Sequence, residues 1–345
     1  MMKRYLVLAE GHSDDPHHGK TMYGVIRYAA DPVVCVLDSE RAGETVEGIP
    51  VVASVDAGLA YEPTTALVGV APSGGRLPPV WRSILADAVR AGLDVEAGMH
   101  EFLGDDPELA RLAGEHGVEL RDLRRPPADL SVSTGANLTH GASVALTVGS
   151  DCAIGKKTVA IELDRAARAR GLPSVFVPTG QTGIMIAGWG IAVDAVVADF
   201  LAGAAERLVV EGAARGDLLW VEGQGSLVHP QYSGVTLGLL HGSAPHVLVL
   251  CHKAGQAHVE GMREHPIPPL AELVELYERS SLPARPARVA AIALNTGRLP
   301  ETEAQAAVAA VREETGLPAD DPVRFGPVLL LDAVLAALAS GITRE

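Results

Sequence analysis

The sequence predicts an α/β protein of two domains. A Rossmann-like domain spans 1–125, a linker 126–143, and a P-loop NTPase-like domain with a mainly parallel sheet 144–345. Three observations predict this. Short apolar runs alternate with helical periodicity along the chain, the pattern of right-handed crossovers between parallel strands. One polar, Pro-containing, aperiodic stretch, RRPPADLSVSTGANLTH (124–140), interrupts that alternation. Soon after it, ALTVGSDCAIGKKTVAI (145–161) places an apolar run before a Gly-rich turn, two lysines and a helical pattern. That order is strand, phosphate loop, helix.

In the first domain, Tyr5–Ala9, Val33–Leu37, Val51–Ala53, Ala66–Val70, Leu93–Glu96 and Val118–Asp122 read as strands. Thr21–Tyr28, Val80–Ala91 and Glu108–His116 read as helices between them. No G-x-G-x-x-G follows the first strand, so the likeness to a dinucleotide-binding domain is architectural. In the second domain the strands are Val144–Val148, Ser174–Pro178, Leu218–Glu222, His246–Leu250 and Val289–Leu294. Helices are expected over 155–170, 194–211, 269–279, 301–315 and 327–340.

Composition bounds the function. A formal net charge of −15 argues against non-specific nucleic-acid binding. No apolar run approaches a membrane span, and the one after the basic start MMKR is too short for a signal peptide. Three cysteines cannot all pair, and Cys35 and Cys251 lie in apolar strand-like runs, which suits buried thiols in a reducing cytoplasm. The expected partner is a small-molecule substrate.

An acidic chain that binds an anion must concentrate positive charge locally, and Lys156 and Lys157 do so. Backbone N–H groups of Gly149, Ser150, Asp151, Cys152 and Gly155 would cradle phosphate oxygens, and the following helix adds partial positive charge at its N-terminus. The loop departs from G-x-x-x-x-G-K-[ST] in two ways. Gly149 and Gly155 are one residue further apart, and Lys157 stands where a hydroxyl would bind Mg²⁺, with Thr158 after it. A second lysine repels Mg²⁺ and attracts another phosphate oxygen, so the loop suits a phosphorylated ligand better than metal-assisted ATP cleavage.

Ligands of such sheets bind at the carboxyl ends of the strands. Pro178–Gly183 follows the second strand as a polar loop, making Thr179, Gln181 and Thr182 candidate substrate ligands. Asp194 and Asp199 read better as helix-capping or salt-bridging groups. Glu222 closes the third strand before Gly223, Gln224 and Gly225, and His229 follows, so Glu222 and His229 are the candidate catalytic residues. Gln224, Lys253 and Asn295, at the ends of later strands, complete the substrate candidates. His252 and His258 lack a carboxylate or cysteine to complete a metal set, and no metal site is expected. In the first domain, SDDPHHGK (13–20) and VAPSGG (70–75) are loops able to border a cleft.

The blocks GSDCAIGKKT, PTGQTGIMIAGWGIAVDAVVADF, LWVEGQGSLVHPQYSGVTLGLLHG, VGVAPSGGRLPPVWR and GMHEFLGDD resemble the DgcN-like family, a domain-of-unknown-function family that includes D-glutamate N-acetyltransferase. The resemblance covers nearly the whole chain. It implies a Rossmann-like and a P-loop domain, usually a homodimer, and acetyl transfer from acetyl-CoA to the amine of D-glutamate, with the loop on CoA phosphates. The loop is also similar in style to that of dethiobiotin synthetase, which keeps a hydroxyl where Lys157 stands. Its residues leave two alternatives: a Mg-ATP-dependent kinase or ligase using Lys156, Thr158 and Glu222, and a non-catalytic nucleotide- or CoA-sensing protein. For the transferase, Lys253 or Arg263 are candidate cations for an acidic acceptor.

Overall fold

The computed structural model describes residues 2–15, 18–70 and 77–341, in two compact units. The first comprises residues 1–126 and 181–195, the second 127–180 and 196–345. Segments 16–17 and 71–76, which hold parts of the two first-domain loops noted above, lie outside the described residues.

The strands of the first unit are β1 (Tyr5–Leu8), β2 (Val33–Leu37), β3 (Thr45–Val46), β4 (Ile49–Val52), β5 (Thr65–Val68), β6 (Asp94–Ala97) and β7 (Leu120–Asp122). They form one sheet in the order β3-β4-β2-β1-β5-β6-β7, parallel throughout except for the β3–β4 hairpin. From β4 to β7 this is the doubly wound dinucleotide-binding order. The helices are α1 (Lys20–Tyr28), the single turn α2 (Val55–Gly58), α3 (Pro79–Arg90) and α4 (Pro107–His116). The central strands β1 and β2 are buried on both faces almost throughout, as the near-continuous apolar runs YLVL and VVCVL require.

Residues 181–195 return to this unit from the middle of the second. Gln181–Ala187 is a helix, α6, where the sequence suggested a polar loop. The second TG pair, Thr182-Gly183, is carried inside a short helix that buries Ile184 and Met185, while Thr179-Gly180 precedes it. Arg124, 7% exposed, holds the excursion. Its guanidinium donates to Gly98 O (2.9 Å), Asp194 Oδ2 (2.6 Å) and Gln181 Oε1 (2.9 Å). Asp194 is thus a salt-bridging residue, as its sequence position suggested.

The second unit contains β8 (Ser143–Gly149), β9 (Ser174–Val177), β10 (Leu218–Val221), β11 (Val247–Lys253), β12 (Arg288–Asn295) and β13 (Ala319–Asp320). These are all parallel, in the order β13-β12-β11-β8-β10-β9. The helices are α5 (Lys156–Ala169), α7 (Ala198–Ala213), α8 (Ser233–Ser243), α9 (Leu270–Ser281), α10 (Glu301–Thr315) and α11 (Val328–Gly341). β8, the strand before the glycine-rich loop, is central, between β11 and β10. β11 runs three residues beyond the expected end, so His252 and Lys253 belong to the strand. Among the described residues no helix is long and apolar enough to cross a membrane.

The segment before β8 is pinned to the second unit. Glu206 of α7, 5% exposed, accepts from Ser133 Oγ (2.7 Å), Thr134 N (2.7 Å), Thr134 Oγ1 (2.8 Å) and Gly135 N (2.7 Å). Asn137 is buried and donates to Gly242 O (2.7 Å). Burial pushes the Glu206 carboxyl up, but the hydrogen bonds outweigh it and hold it at about 2. A depressed carboxylate stabilises the fold above its unfolded value of 4.5, and that stabilisation is lost as pH falls toward about 2. Glu206→Gln is therefore expected to lower unfolding stability at pH 7 by roughly 3 kcal/mol. Denaturant titrations of both proteins between neutral pH and pH 2 check this: the difference must shrink within that acid window, and a pH-independent difference contradicts the carboxylate account.

Candidate active site

The sheet register assembles the site. β10 lies beside β8 with Val221 opposite Leu146, so the chain leaving β10 runs alongside Thr147. Gly223 N donates to Thr147 Oγ1 (2.9 Å). A Cβ on Gly223 would lie 1.7 Å from Thr147 O, so only glycine permits this approach. On the other side Cys251 of β11 pairs with Gly149, and Ser150 N donates to Cys251 O (3.0 Å). Tyr277 of α9, fully buried, donates its hydroxyl to Gly149 O (2.7 Å) and accepts Leu227 N (3.1 Å). It thereby ties the start of the loop to the segment after β10, while burial pushes its phenol up.

Within the loop Gly155 has φ 114°, a conformation open to glycine, and Ala153 has φ 51°, unusual for a residue with a Cβ. The chain then enters α5 directly at Lys156, whose side chain folds back into the loop and donates to Asp151 O (2.6 Å). Lys156 is 6% exposed. Burial pushes its ammonium pKa down, while Cys152, Cys251, Asp151 and Glu222 lie close enough to oppose that.

Asp151 is fully buried. Its carboxylate accepts Cys152 N (2.6 Å), Glu260 N (2.7 Å) and the Gln256 side-chain amide. His229, 3% exposed, sets Nε2 3.8 Å from Asp151 Oδ1. The carboxylate established beside this histidine is thus Asp151. His229 Nδ1 accepts Gln231 N (3.2 Å), which assigns the ring proton of the neutral imidazole to Nε2, facing Asp151.

Glu222 is 5% exposed and accepts Thr179 N (3.1 Å) and Gly180 N (3.2 Å). Thr179 Oγ1 donates to Glu222 O (2.6 Å) and accepts Gln224 Nε2 (3.2 Å). Glu222, Thr179 and Gln224 therefore form one bonded group at the ends of β9 and β10. Asn295 reaches the loop from β12, Nδ2 donating to Ile154 O (3.4 Å), and Lys253 ends β11 beside it in register. Lys157 and Thr158 are half-buried in the first turn of α5. Gln181 and Thr182 belong to the first unit, bonded to Arg124 and to Thr21 Oγ1 (2.9 Å) respectively. Arg263 and His258 are both exposed in the segment after β11.

Several residues escaped the sequence reading. Asp151 and Cys152 were assigned only to phosphate binding, yet they converge with His229, one donor atom of each lying within 4.8 Å of the others. His252 was weighed as a metal ligand; its Nδ1 meets Ser150 Oγ (2.8 Å), and burial pushes its pKa down. A groove of about 490 Å³ opens beside it, walled by His252, Gln256, Leu270, Ala307, Val311 and Glu314. Its size is that of a small-molecule site. A His12, Asp15 and His18 cluster also occurs in the first unit, flanking undescribed residues.

Comparison with known proteins agrees with this architecture. A family model described as a domain of unknown function (DUF1611_C) P-loop domain matches residues 131–331, and one described as a domain of unknown function (DUF1611_N) Rossmann-like domain matches 39–126. A D-glutamate N-acetyltransferase of Tritonibacter scottomollicae is 39% identical over 275 residues, covering 79% of this chain and 81% of the relative. Another, from a Pseudoalteromonas species, is 35% identical over 277 residues with the same coverage. A solved DUF1611 family protein from Anabaena variabilis superposes with a TM-score of 0.92 at 42% identity, covering 97% of this chain and 99% of that one. With both domain models matched in order and this agreement along its length, the chain belongs to the DUF1611 family of Rossmann-like plus P-loop proteins.

Proposed function

We propose that the protein is an N-acetyltransferase moving acetyl from acetyl-CoA to the amine of D-glutamate or a related D-amino acid, with CoA phosphates held by the P-loop. Acyl transfer is the activity for which both curated relatives are named, and the chain is an enzyme of that class. The observation that carries the CoA assignment is the loop itself. Lys156 and Lys157 stand together at the start of α5, and Lys157 takes the place directly after Lys156 where a Mg²⁺-binding hydroxyl would stand. The groove beside His252 supports the reading by offering mainly apolar walls to the rest of a long ligand.

An amine attacks a thioester only when unprotonated, so a base is needed. Of the two candidates, the geometry favours Glu222. The Nδ1 lone pair of His229 is taken by Gln231 N, and its Nε2 proton faces Asp151. Backbone N–H groups of the glycine-rich loops are the available oxyanion donors. A cytoplasmic homodimer is part of the same proposal.

Thiol release tests it: acetyl-CoA with D-glutamate, L-glutamate and other D-amino acids, without ATP or metal. The expected result is free CoA only with a D-amino acid. No release from any amine, with ADP formed once Mg-ATP is added, would transfer the reading to a kinase or ligase. Lys157→Ser tests the loop assignment. Replacing a phosphate-facing charge is expected to weaken acetyl-CoA binding about 10-fold. Titration calorimetry checks this, and binding equal to the parent protein removes Lys157 from the account.

A further inference from the structure

We propose that Cys152 carries the acetyl group as a thioester between acetyl-CoA and the amine, so that transfer proceeds in two half-reactions. This rests on the acetyl-CoA reading above. The geometry points to it in three ways.

First, the thiol belongs to a built cluster. A donor atom of each of Cys152, His229 and Asp151 lies within 4.8 Å of the others, and Asp151 and His229 are buried. Asp151 is fixed by bonds from Cys152 N, Glu260 N and Gln256, and His229 Nδ1 by Gln231 N. A nucleophile, a histidine and an orienting carboxylate are the parts acyl-transfer enzymes use. Here the Nε2–H tautomer makes His229 a donor able to stabilise a thiolate or an oxyanion.

Second, the sulfur has a cation beside it that offsets the nearby Asp151 carboxylate. The Lys156 ammonium interacts with Cys152, and the 14-residue helix α5 begins four residues after it. Cys251 also lies near Lys156, but burial sets the other two thiols apart from Cys152. Cys35 and Cys251 are fully buried, and burial pushes their pKa values up to about 11 and about 12. Cys152 is half-buried and reachable.

Third, Ala153, the residue after the cysteine, is held at φ 51°. Strained backbone of this kind recurs where a reactive side chain is presented from a sharp turn.

The same three side chains have the spacing of a cation site, but the environment does not suit one. The His229 nitrogen facing Asp151 carries its proton, and the Lys156 ammonium lies close to both Asp151 and Cys152.

The chemistry balances without a redox partner. Cys152 sulfur attacks the thioester carbonyl carbon, a new carbon–sulfur bond forms, and the bond to CoA sulfur breaks. The electron pair leaves with CoA, which takes up the proton given by the Cys152 thiol. In the second half-reaction the amine nitrogen attacks the same carbon, the carbon–sulfur bond to Cys152 breaks, and the proton lost by the amine returns to the Cys152 sulfur.

The test is the intact mass of the wild-type full-length protein, acid-quenched within milliseconds to seconds of mixing with acetyl-CoA alone, followed by peptide mapping. One added acetyl group on residues 150–156, chased off by D-glutamate, is expected. Initial rates against both substrates should give parallel reciprocal lines. Cys152→Ser, with folding checked by its melting curve, should lose about a thousand-fold or more in kcat/KM, as loss of a nucleophile does in other acyl-transfer enzymes. Turnover with D-glutamate but no adduct, intersecting lines and an active serine variant would overturn the covalent step and leave the transferase reading intact. An adduct without turnover on any amine would do the reverse. Loss of turnover on chelation, restored by a divalent metal, would replace the thioester by a metal centre.

Discussion

The buried ammonium of Lys156 is the constraint around which the site is organised. An ammonium taken out of water costs several kcal/mol unless its surroundings compensate. Compensation here comes from Asp151 O at 2.6 Å and from the neighbouring Asp151 and Glu222 carboxylates. Those carboxylates need partners of their own, and each is met by backbone N–H groups: Cys152 and Glu260 for Asp151, Thr179 and Gly180 for Glu222. The ends of β8, β9 and β10 and the segment after β11 are therefore held together through polar groups that burial makes expensive to separate. A chain of net charge −15 thus buries a local positive centre at the ends of its central strands.

The parallel sheet makes this convergence possible because every strand ends on the same side. β8 lies between β10 and β11, so one loop meets the ends of both neighbours. Gly223 allows β10 to leave within contact of Thr147, and Tyr277 closes the other side through Gly149 and Leu227. Removing either would disturb the loop from beneath, even though neither offers a charge to a ligand.

Much of this was legible in the sequence, and the exceptions have physical reasons. Both α/β units and the glycine-rich loop were visible because β8 is a continuous apolar run ending in glycine and lysines, a pattern set by local chemistry. Glu222 was visible because a carboxylate closing an apolar strand is conspicuous. Helix α6 was not, because QTGIMIA carries two poor helix formers and owes its form to packing within the first unit. Its return to that unit depends on Arg124, which is 57 positions from Gln181 in the chain and leaves no local signal. The Asp151–Cys152–His229 convergence was hidden likewise: His229 lies on the loop after β10, and only the register of β10 on β8 brings it to Asp151. Tyr277, in the interior of α9, reads as an ordinary buried aromatic until its hydroxyl is seen on Gly149.

The central claim is that this loop holds the phosphates of CoA without a metal. The most direct measurement is a crystal structure of the complex grown with acetyl-CoA or CoA and a chelator. The account predicts CoA pyrophosphate oxygens on the backbone N–H groups between Ser150 and Thr158, with Lys156 Nζ turned from Asp151 O onto the phosphate. CoA bound elsewhere with the loop empty, or a loop that fills only with a Mg²⁺-bound nucleotide, would contradict it.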